Sequence, residues 1–312
     1  MASCGGAEEC HGYHDRAVTA LDLPTTVVAP QRTVVQHITG VWRYRELLAN
    51  LVRKELKVKY KNSALGFAWS MLNPAMYLGV FYVVFQIVLG SGIPQFAIFL
   101  LCGLLAWNLF SISLAGATGS IVSNASLVNK VYFPREILPL SAVGANLVHF
   151  FLQASVLLLA LVVARRGVEL EYVWLALPAL VVLVVLASAL AIFLSCVNVY
   201  ARDTQHLLEL VLLAWFWMTP IVYHWGLPAQ KLIDAGWPSG VLLLNPMTSV
   251  VLALQRALYS TTFFPGGAPL LPDASPLWYF RNLAIVGAVA VVLLALALRL
   301  FGKLEGNFAE EL

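Results

Sequence analysis

The sequence predicts an all-α integral membrane protein with six transmembrane helices, on three observations. Of its 312 residues, 60% are hydrophobic and only 11% are charged, where a soluble domain carries about 25% charged residues. The charges gather in short clusters, and the intervals between them suit crossings of about 20 apolar residues each. The basic residues fall unevenly between alternate clusters, as the positive-inside rule expects of a multi-pass chain. A net charge of +3 gives no reason to expect a nucleic acid partner.

Residues 1–40 read as a flexible cytosolic tail. They hold Glu8, Glu9, Asp15 and Asp22 and lack the apolar core, about 7–15 residues long, of a signal peptide. Cys4, Cys10, His11 and His14 are not spaced as the tight ligand pairs of a zinc site. Cys102 and Cys196 lie in apolar runs, so neither a metal nor a disulfide framework is expected.

Residues 41–61 read as an amphipathic interface helix. In WRYRELLANLVRKELKVKY (Trp42–Tyr60), Tyr44, Leu47, Leu48, Leu51, Val52 and Leu56 share one helical face. Arg43, Glu46, Arg53, Lys54, Lys57 and Lys61 share the other. That pattern suits a helix lying in the membrane interface, either as an anchor alone or as an anchor that also touches a cytosolic partner.

Residues 62–312 hold the spans. No Asp, Glu, Lys or Arg occurs from 62 to 129, so two helices are placed near 66–89 and 96–119, with GSGIPQ (Gly90–Gln95) as their turn. The third falls near 137–164, the fourth near 172–199, the fifth near 206–225 and the sixth near 278–300. With the N-terminus inside, 14 of the 19 basic residues are cytosolic, leaving Arg165, Arg166, Lys231, Arg256 and Arg281 outside. Both termini are then cytosolic.

LVNKVYFPREILPLS (Leu127–Ser141) falls between the second and third spans, in the cytosol. Leu127, Val128, Val131 and Tyr132 make one face of a two-turn helix that Ser123 or Asn124 can cap. Pro134 suits the first position of the next helix, and Glu136 suits its positive end. A push on this short helix would pass through a stiff corner into the third span; the plainer reading is a cap resting in headgroups. Pro74, Pro178 and Pro220 each remove an amide donor inside a span and predict kinks.

The first span carries Asn73, Tyr77, Phe81 and Phe85 at helical spacing, and the fifth carries Trp215, Phe216, Trp217 and Tyr223. Aromatic faces pack on apolar sugar faces while their polar tips bond hydroxyls. They equally form interface belts and helix contacts. Buried ionisable groups of the kind that drive ion-coupled carriers are confined to His149 and Glu209. No G-x-x-x-x-G-K-[ST] loop is present, so energy for active transport must come from another chain.

YRELLANLVRKELKVKYKNSALGFAWSMLNP, LVNKVYFPREILPLS, NVYARDTQHLLEL and LLLNPMTSVVLALQRALY, in that order, resemble the membrane subunit of polysaccharide-exporting ABC transporters of the type-2 permease class. The resemblance runs from about residue 43 to the end. Within that family it is most similar to actinobacterial exporters of lipid-linked galactan, beside exporters of O-antigen or teichoic acid.

The resemblance implies a homodimer in a bacterial plasma membrane, with two copies of an ATPase subunit that holds ATP and Mg, and no cofactor or catalytic residue in this chain. It implies a coupling segment at Leu127, Val128, Asn129, Lys130, Val131, Tyr132, Phe133, Pro134, Arg135 and Glu136. It also implies short external gate helices in Gly226–Gly236 and Asn245–Tyr259. The implied substrate is a glycan on polyprenyl pyrophosphate, whose diphosphate Arg53, Lys54, Lys57, Lys59 and Lys61 could attract. Asn73, Tyr77, Phe81, Phe85, Trp215, Phe216 and Tyr223 are the candidate passage. An ABC exporter of another lipid or a drug remains open, as does a polyprenyl-phosphate glycan transferase. For the transferase, only Arg202, Asp203 and His206 offer a candidate cluster.

Overall fold

Thr33 opens the first helix with a capping box: its hydroxyl accepts the Gln36 amide, and the Gln36 side chain accepts the Thr33 amide at 2.8 Å. Two free donors at the helix start are thereby satisfied. Helix α1 is Val34–Arg43 and α2 is Arg45–Tyr60, with a break at Tyr44. The single interface helix over 41–61 is thus two helices, and the last part of the expected tail is helical. The computed structural model describes residues 33–61, 69–131, 133–163, 169–260, 263–264 and 269–312. The tail through residue 32, and the side chains at 38, 59, 60, 69–71, 73, 74, 309 and 310, lie outside that description. The apolar stripe of α2 meets protein: Leu51 is buried, with Tyr44, Leu47 and Leu48 packed in the same cluster.

Among the described residues four segments are long and apolar enough to cross a bilayer: Phe96–Thr118 (α4), Ile137–Val163 (α7), Leu170–Tyr200 and Pro276–Asn307. The third comprises α8 (Leu170–Val173) and α9 (Ala176–Tyr200), and the fourth begins with α13 (Pro276–Leu304). They lie close to the expected second, third, fourth and sixth spans. Short helices α5 (Ser120–Ser123) and α6 (Ala125–Lys130) link α4 to α7. The first expected span is represented by α3 (Trp69–Phe81), which continues as a π-helical stretch, Tyr82–Val88. There the Leu89 amide reaches back five residues to the Val84 carbonyl, at 2.9 Å. The turn that follows is where GSGIPQ was expected, with Gly90 at φ 58° and Gly92 at φ 68°, angles open to glycine without a Cβ clash.

The fifth span is shorter than expected. Helix α10 is Thr204–Met218, and Thr219 is already extended at ψ 133°. Pro220 is the reason: its ring disfavours helical geometry at the preceding residue, so it ends the helix rather than kinking it. Pro178 kinks nothing either. It sits in the first turn of α9, and the Trp174 carbonyl, four residues earlier, takes the Leu177 amide instead. Pro74 lies within the backbone of α3.

Beyond α10 come α11 (Gly226–Asp234), a 3-10 turn at Ser239–Leu244, and α12 (Pro246–Leu258). Asn245 caps α12 by accepting the Met247 amide at 3.0 Å, with Pro246 at its first position. A helix of 13 residues rises about 20 Å, too little to cross a bilayer. Helix α12 is buried almost all round, from Met247 to Ala257, lodged against α4, α9 and α13. The chain closes with α14 (Phe308–Glu311). Two apolar clusters result. The larger gathers α4, α9 and α12; the smaller gathers α2, the 133–138 corner, the end of α9, the end of α13 and Phe308. The second cluster marks the end of the bundle that carries most of the basic residues, called here the basic end.

Candidate functional site: an aromatic cleft and a basic face

Helices α3 and α10 meet through rings. Phe81 stacks on Phe216 at 5.8 Å and 20°, and meets Trp217 edge-on at 6.5 Å. Trp107 of α4 closes on Phe216 at 5.5 Å, and Tyr77 stacks on Phe81 at 6.0 Å. Around these rings lies a cleft of about 360 Å³, to which α4 adds Asn108 and Ser111 and α10 adds Glu209. The Ser111 hydroxyl donates to the Trp107 carbonyl at 2.8 Å, which keeps its oxygen free to accept. Aromatic faces with a few polar groups between them can hold the apolar face of a sugar and bond its hydroxyls.

Of the passage candidates, Tyr77, Phe81 and Phe216 line this cleft. Trp215 does not. Its ring packs edge-on against Phe110 at 5.1 Å, and its indole N–H donates to Asn245 Oδ1 at 2.8 Å, which ties α10 to the start of α12. Phe85 does not line the cleft; it stacks on Phe96 at 6.2 Å and meets Phe81 edge-on at 6.0 Å. Tyr223 lies past the end of α10 and donates to the Trp217 carbonyl at 2.8 Å. The Asn73 side chain is outside the described residues. Sequence reasoning missed Trp107, Asn108 and Ser111. Helix α4 is apolar on every face, so no periodicity could pick out the one that opens; the pair Asn108 and Ser111, three apart, was the available signal.

At the basic end, α6 and the corner after it are mostly turned inward. Val128, Phe133 and Pro134 are buried, Leu127 and Arg135 are half-buried, and Glu136 is wholly buried. Asn129, Lys130 and Val131 are exposed, Val131 at 51%. Tyr132 is outside the described residues. Asn124 stands at the start of α6 without capping it; its amide donates to the Ser120 carbonyl at 2.8 Å and its oxygen accepts Lys54 Nζ at 2.7 Å. Pro134 is not the first helical residue: α7 starts at Ile137, through a tight turn in which the Ile137 amide bonds the Pro134 carbonyl. Glu136 does precede the helix, but its carboxylate meets His37 Nδ1 at 2.9 Å.

Arg53, Lys54, Lys57 and Lys61 are exposed, and none has a carboxylate partner among the described residues. The Lys59 side chain is outside them. A second cleft, of about 310 Å³, opens between α2, α4, α5 and α7, with Glu55, Ser120, Ser123, Ser141, Asn146 and His149 among its walls. Ser120 donates to the Ala117 carbonyl of α4 at 2.7 Å, and Ser141 and Asn146 donate to carbonyls of α7 at 2.7 and 3.0 Å, leaving oxygens that can accept. Of this set the sequence had singled out His149, and Ser123 only as a helix cap.

At the opposite end Arg256 fixes α12. It meets Glu169 at 2.6 Å and the Ser260 carbonyl at 2.8 Å, with its guanidinium 3.6 Å from the Tyr172 ring centre. Burial works against its charge, but the bonds to Glu169 and Tyr172 outweigh it and hold the guanidinium above its ordinary range. Among the described residues no group of three His, Cys, Asp or Glu side chains is placed to hold a metal ion. Cys4, Cys10, His11 and His14 lie outside them.

The family model described as "ABC-2 type transporter" matches residues 46–259. The chain is 34% identical over 279 residues to the O-antigen export system permease protein RfbA of Myxococcus xanthus, covering 89% of this chain and 100% of that protein. It is 28% identical over 266 residues to a protein of the same name from Klebsiella pneumoniae, covering 85% and 94%. It is 24% identical over 218 residues to the polysialic acid transport protein KpsM of Escherichia coli, covering 67% and 79%.

Proposed function

The chain belongs to the ABC-2 type transporter membrane family, and from that premise we propose that it is the membrane subunit of an ATP-driven exporter of a cell-envelope polysaccharide. It makes and breaks no bond itself; a separate ATP-binding subunit supplies the energy. The substrate we propose is a glycan carried on polyprenyl pyrophosphate, of the galactan or O-antigen kind. Two copies of the chain and two of the ATPase would form the working transporter in a bacterial plasma membrane, with both termini cytosolic.

The observation that carries this reading is the aromatic cleft between α3, α4 and α10. On the α3 and α10 helices that line it, Met76, Val80, Leu210 and Leu213 are exposed at 60%, 55%, 65% and 62%. Such a patch on a multi-pass chain suits a second copy packed face to face, which would turn each open cleft into the wall of a passage. Stacked rings suit a sliding polymer, since each holds a sugar weakly. At the basic end, α2 carries exposed Arg53, Lys54 and Lys57, with exposed Lys61 at its end, and also contributes to the wall of a polar cleft. A diphosphate would be drawn there by charge, before the glycan enters.

The test is reconstitution with the ATPase subunit in proteoliposomes, following ATP-dependent movement of a lipid-linked glycan. Phe81→Ala with Phe216→Ala should slow the glycan strongly while folded dimer is kept. If the double variant moves glycan at the wild-type rate per folded dimer, the cleft is not the passage. If wild type moves the polyprenyl lipid equally well without its glycan, the substrate is a lipid and the polysaccharide reading fails.

A further inference from the structure

His37 and Glu136 lie 99 residues apart, and both side chains are fully buried, with His37 Nδ1 and Glu136 Oε1 at 2.9 Å. Their other polar atoms, His37 Nε2 and Glu136 Oε2, are buried without a hydrogen-bond partner. A pair of this kind is a poor way to gain stability. Removing two polar groups from water costs more than one short contact returns, and apolar residues of the same volume would pack as well. What such a pair supplies is a fixed register between two elements, here α1 and the corner in front of α7.

Three other contacts close around the same corner. Pro134 lies under α1, where a Cβ added at Gly40 would stand 3.6 Å from its ring, one helical turn beyond His37. Arg135 reaches the other way. It donates to the Glu305 carbonyl and holds its guanidinium 5.9 Å from the centre of the Phe308 ring. Phe308 is itself fully buried against Phe301 at 5.3 Å, and Tyr200 ties the same end of α13 by donating to the Leu304 carbonyl at 3.0 Å. Consecutive residues of the corner therefore hold α1 on one side and the end of α13 on the other.

We propose that His37 and Glu136 are positioning residues for force transfer: their buried pair, with the Arg135 brace, makes the exposed tip at Asn129–Val131 move as one block with α1, the start of α7 and the end of α13. The proposal rests on the exporter reading for what pushes the tip. A push on Lys130 then shifts three elements together instead of bending one loop. Helix α1, which sits outside the bundle, becomes part of the lever rather than a passive anchor.

The test uses the full transporter with its ATPase subunit in proteoliposomes. The variants are Glu136→Gln, His37→Gln and the exchanged pair His37→Glu with Glu136→His. Two readouts are taken: glycan moved per ATP hydrolysed, and the distance distribution between spin labels at Thr39→Cys and Lys130→Cys, with native cysteines replaced. In wild type the distribution should be narrow and the same with and without nucleotide. Each single variant should broaden it and lower glycan per ATP about fivefold or more, with ATP hydrolysis kept; the exchanged pair should restore both. Folded single variants with a narrow distribution and wild-type glycan per ATP would overturn the proposal. So would an exchanged pair as loose as the singles. If a single variant does not fold, Arg135→Gln replaces it, with loosening between Lys130 and a label at Gly306→Cys expected and an unchanged distance counting against. If wild type moves no glycan, the exporter reading fails, and the distance measurement alone decides the block.

Discussion

Phe81 and Trp215 are both aromatic and half-buried, yet the structure gives them different work. Phe81 meets Phe216, Trp217 and Tyr77 at the wall of an open cleft. Trp215 is held between Phe110 and Asn245 and does not line the cleft. A single ring against a sugar contributes about 1 kcal/mol, by analogy with aromatic pairs. Phe81→Ala should therefore slow export about fivefold or less while thermal stability in detergent holds. Trp215→Ala loses packed area and a hydrogen bond together, so it should destabilise by about 3 kcal/mol and leave transport per folded molecule unchanged. Thermal unfolding and transport, measured on the same preparations, check both outcomes. The sequence could list these aromatics; it could not tell them apart, because successive residues such as Trp215 and Phe216 point about 100° apart around a helix and only the neighbours decide which face is open.

At the scale of elements, the segment after Met218 is held by close approach. A Cβ on Gly103 would stand 3.0 Å from Ile221 Cγ2 and 3.3 Å from its Cα. Helix α4 needs a glycine there so that the buried turn of Ile221 and Val222 can lie against it. Gly103→Ala should cost about 1–3 kcal/mol through overpacking, read as a lower melting temperature, while Gly79→Ala, with open space around its Cβ, should not lower it. The tip of α6 calls for a different experiment. Asn129, Lys130 and Val131 are its exposed residues, so Lys130→Glu with Val131→Asp should cut transport about tenfold with the protein still folded and inserted. Phe133→Ala is a poorer probe, because Phe133 is buried and its loss lowers stability as well. Co-purification with the proposed ATPase subunit and transport per folded molecule separate the two effects. Sequence periodicity had placed a short amphipathic helix here and an acidic residue at the next helix start. It had not shown that Glu136 faces His37, since that contact joins segments 99 residues apart.

For the whole molecule, the prediction concerns sidedness. Charge asymmetry predicts both ends of the chain in the cytosol and the long segment between the fifth and sixth expected spans outside. Gly240 and Gly306 each have open space around an added Cβ, so cysteines there should disturb little. With native cysteines replaced, Gly240→Cys should react with an impermeant thiol reagent in intact cells and Gly306→Cys only after lysis. The reverse pattern would invert the orientation.

The sequence by itself determined that the chain crosses a membrane, which of its segments are apolar enough to do so, and which family it resembles. Those properties sit in composition and in the spacing of charges, and both survive without tertiary contacts: a charge left in hydrocarbon is costly wherever the helix packs. The helix ends at Phe96, Ile137 and Tyr200 lie close to those expected for that reason. The tertiary structure decided the rest. The lie of the chain after Pro220 depended on where buried Ile221 could pack against Gly103. The turning of the α2 stripe onto protein depended on neighbouring helices, as did the burial of α12 and the opening of one face of α4. In helices that are apolar all round, the sequence carries no mark of which face meets lipid, protein or passage, so packing alone assigns it.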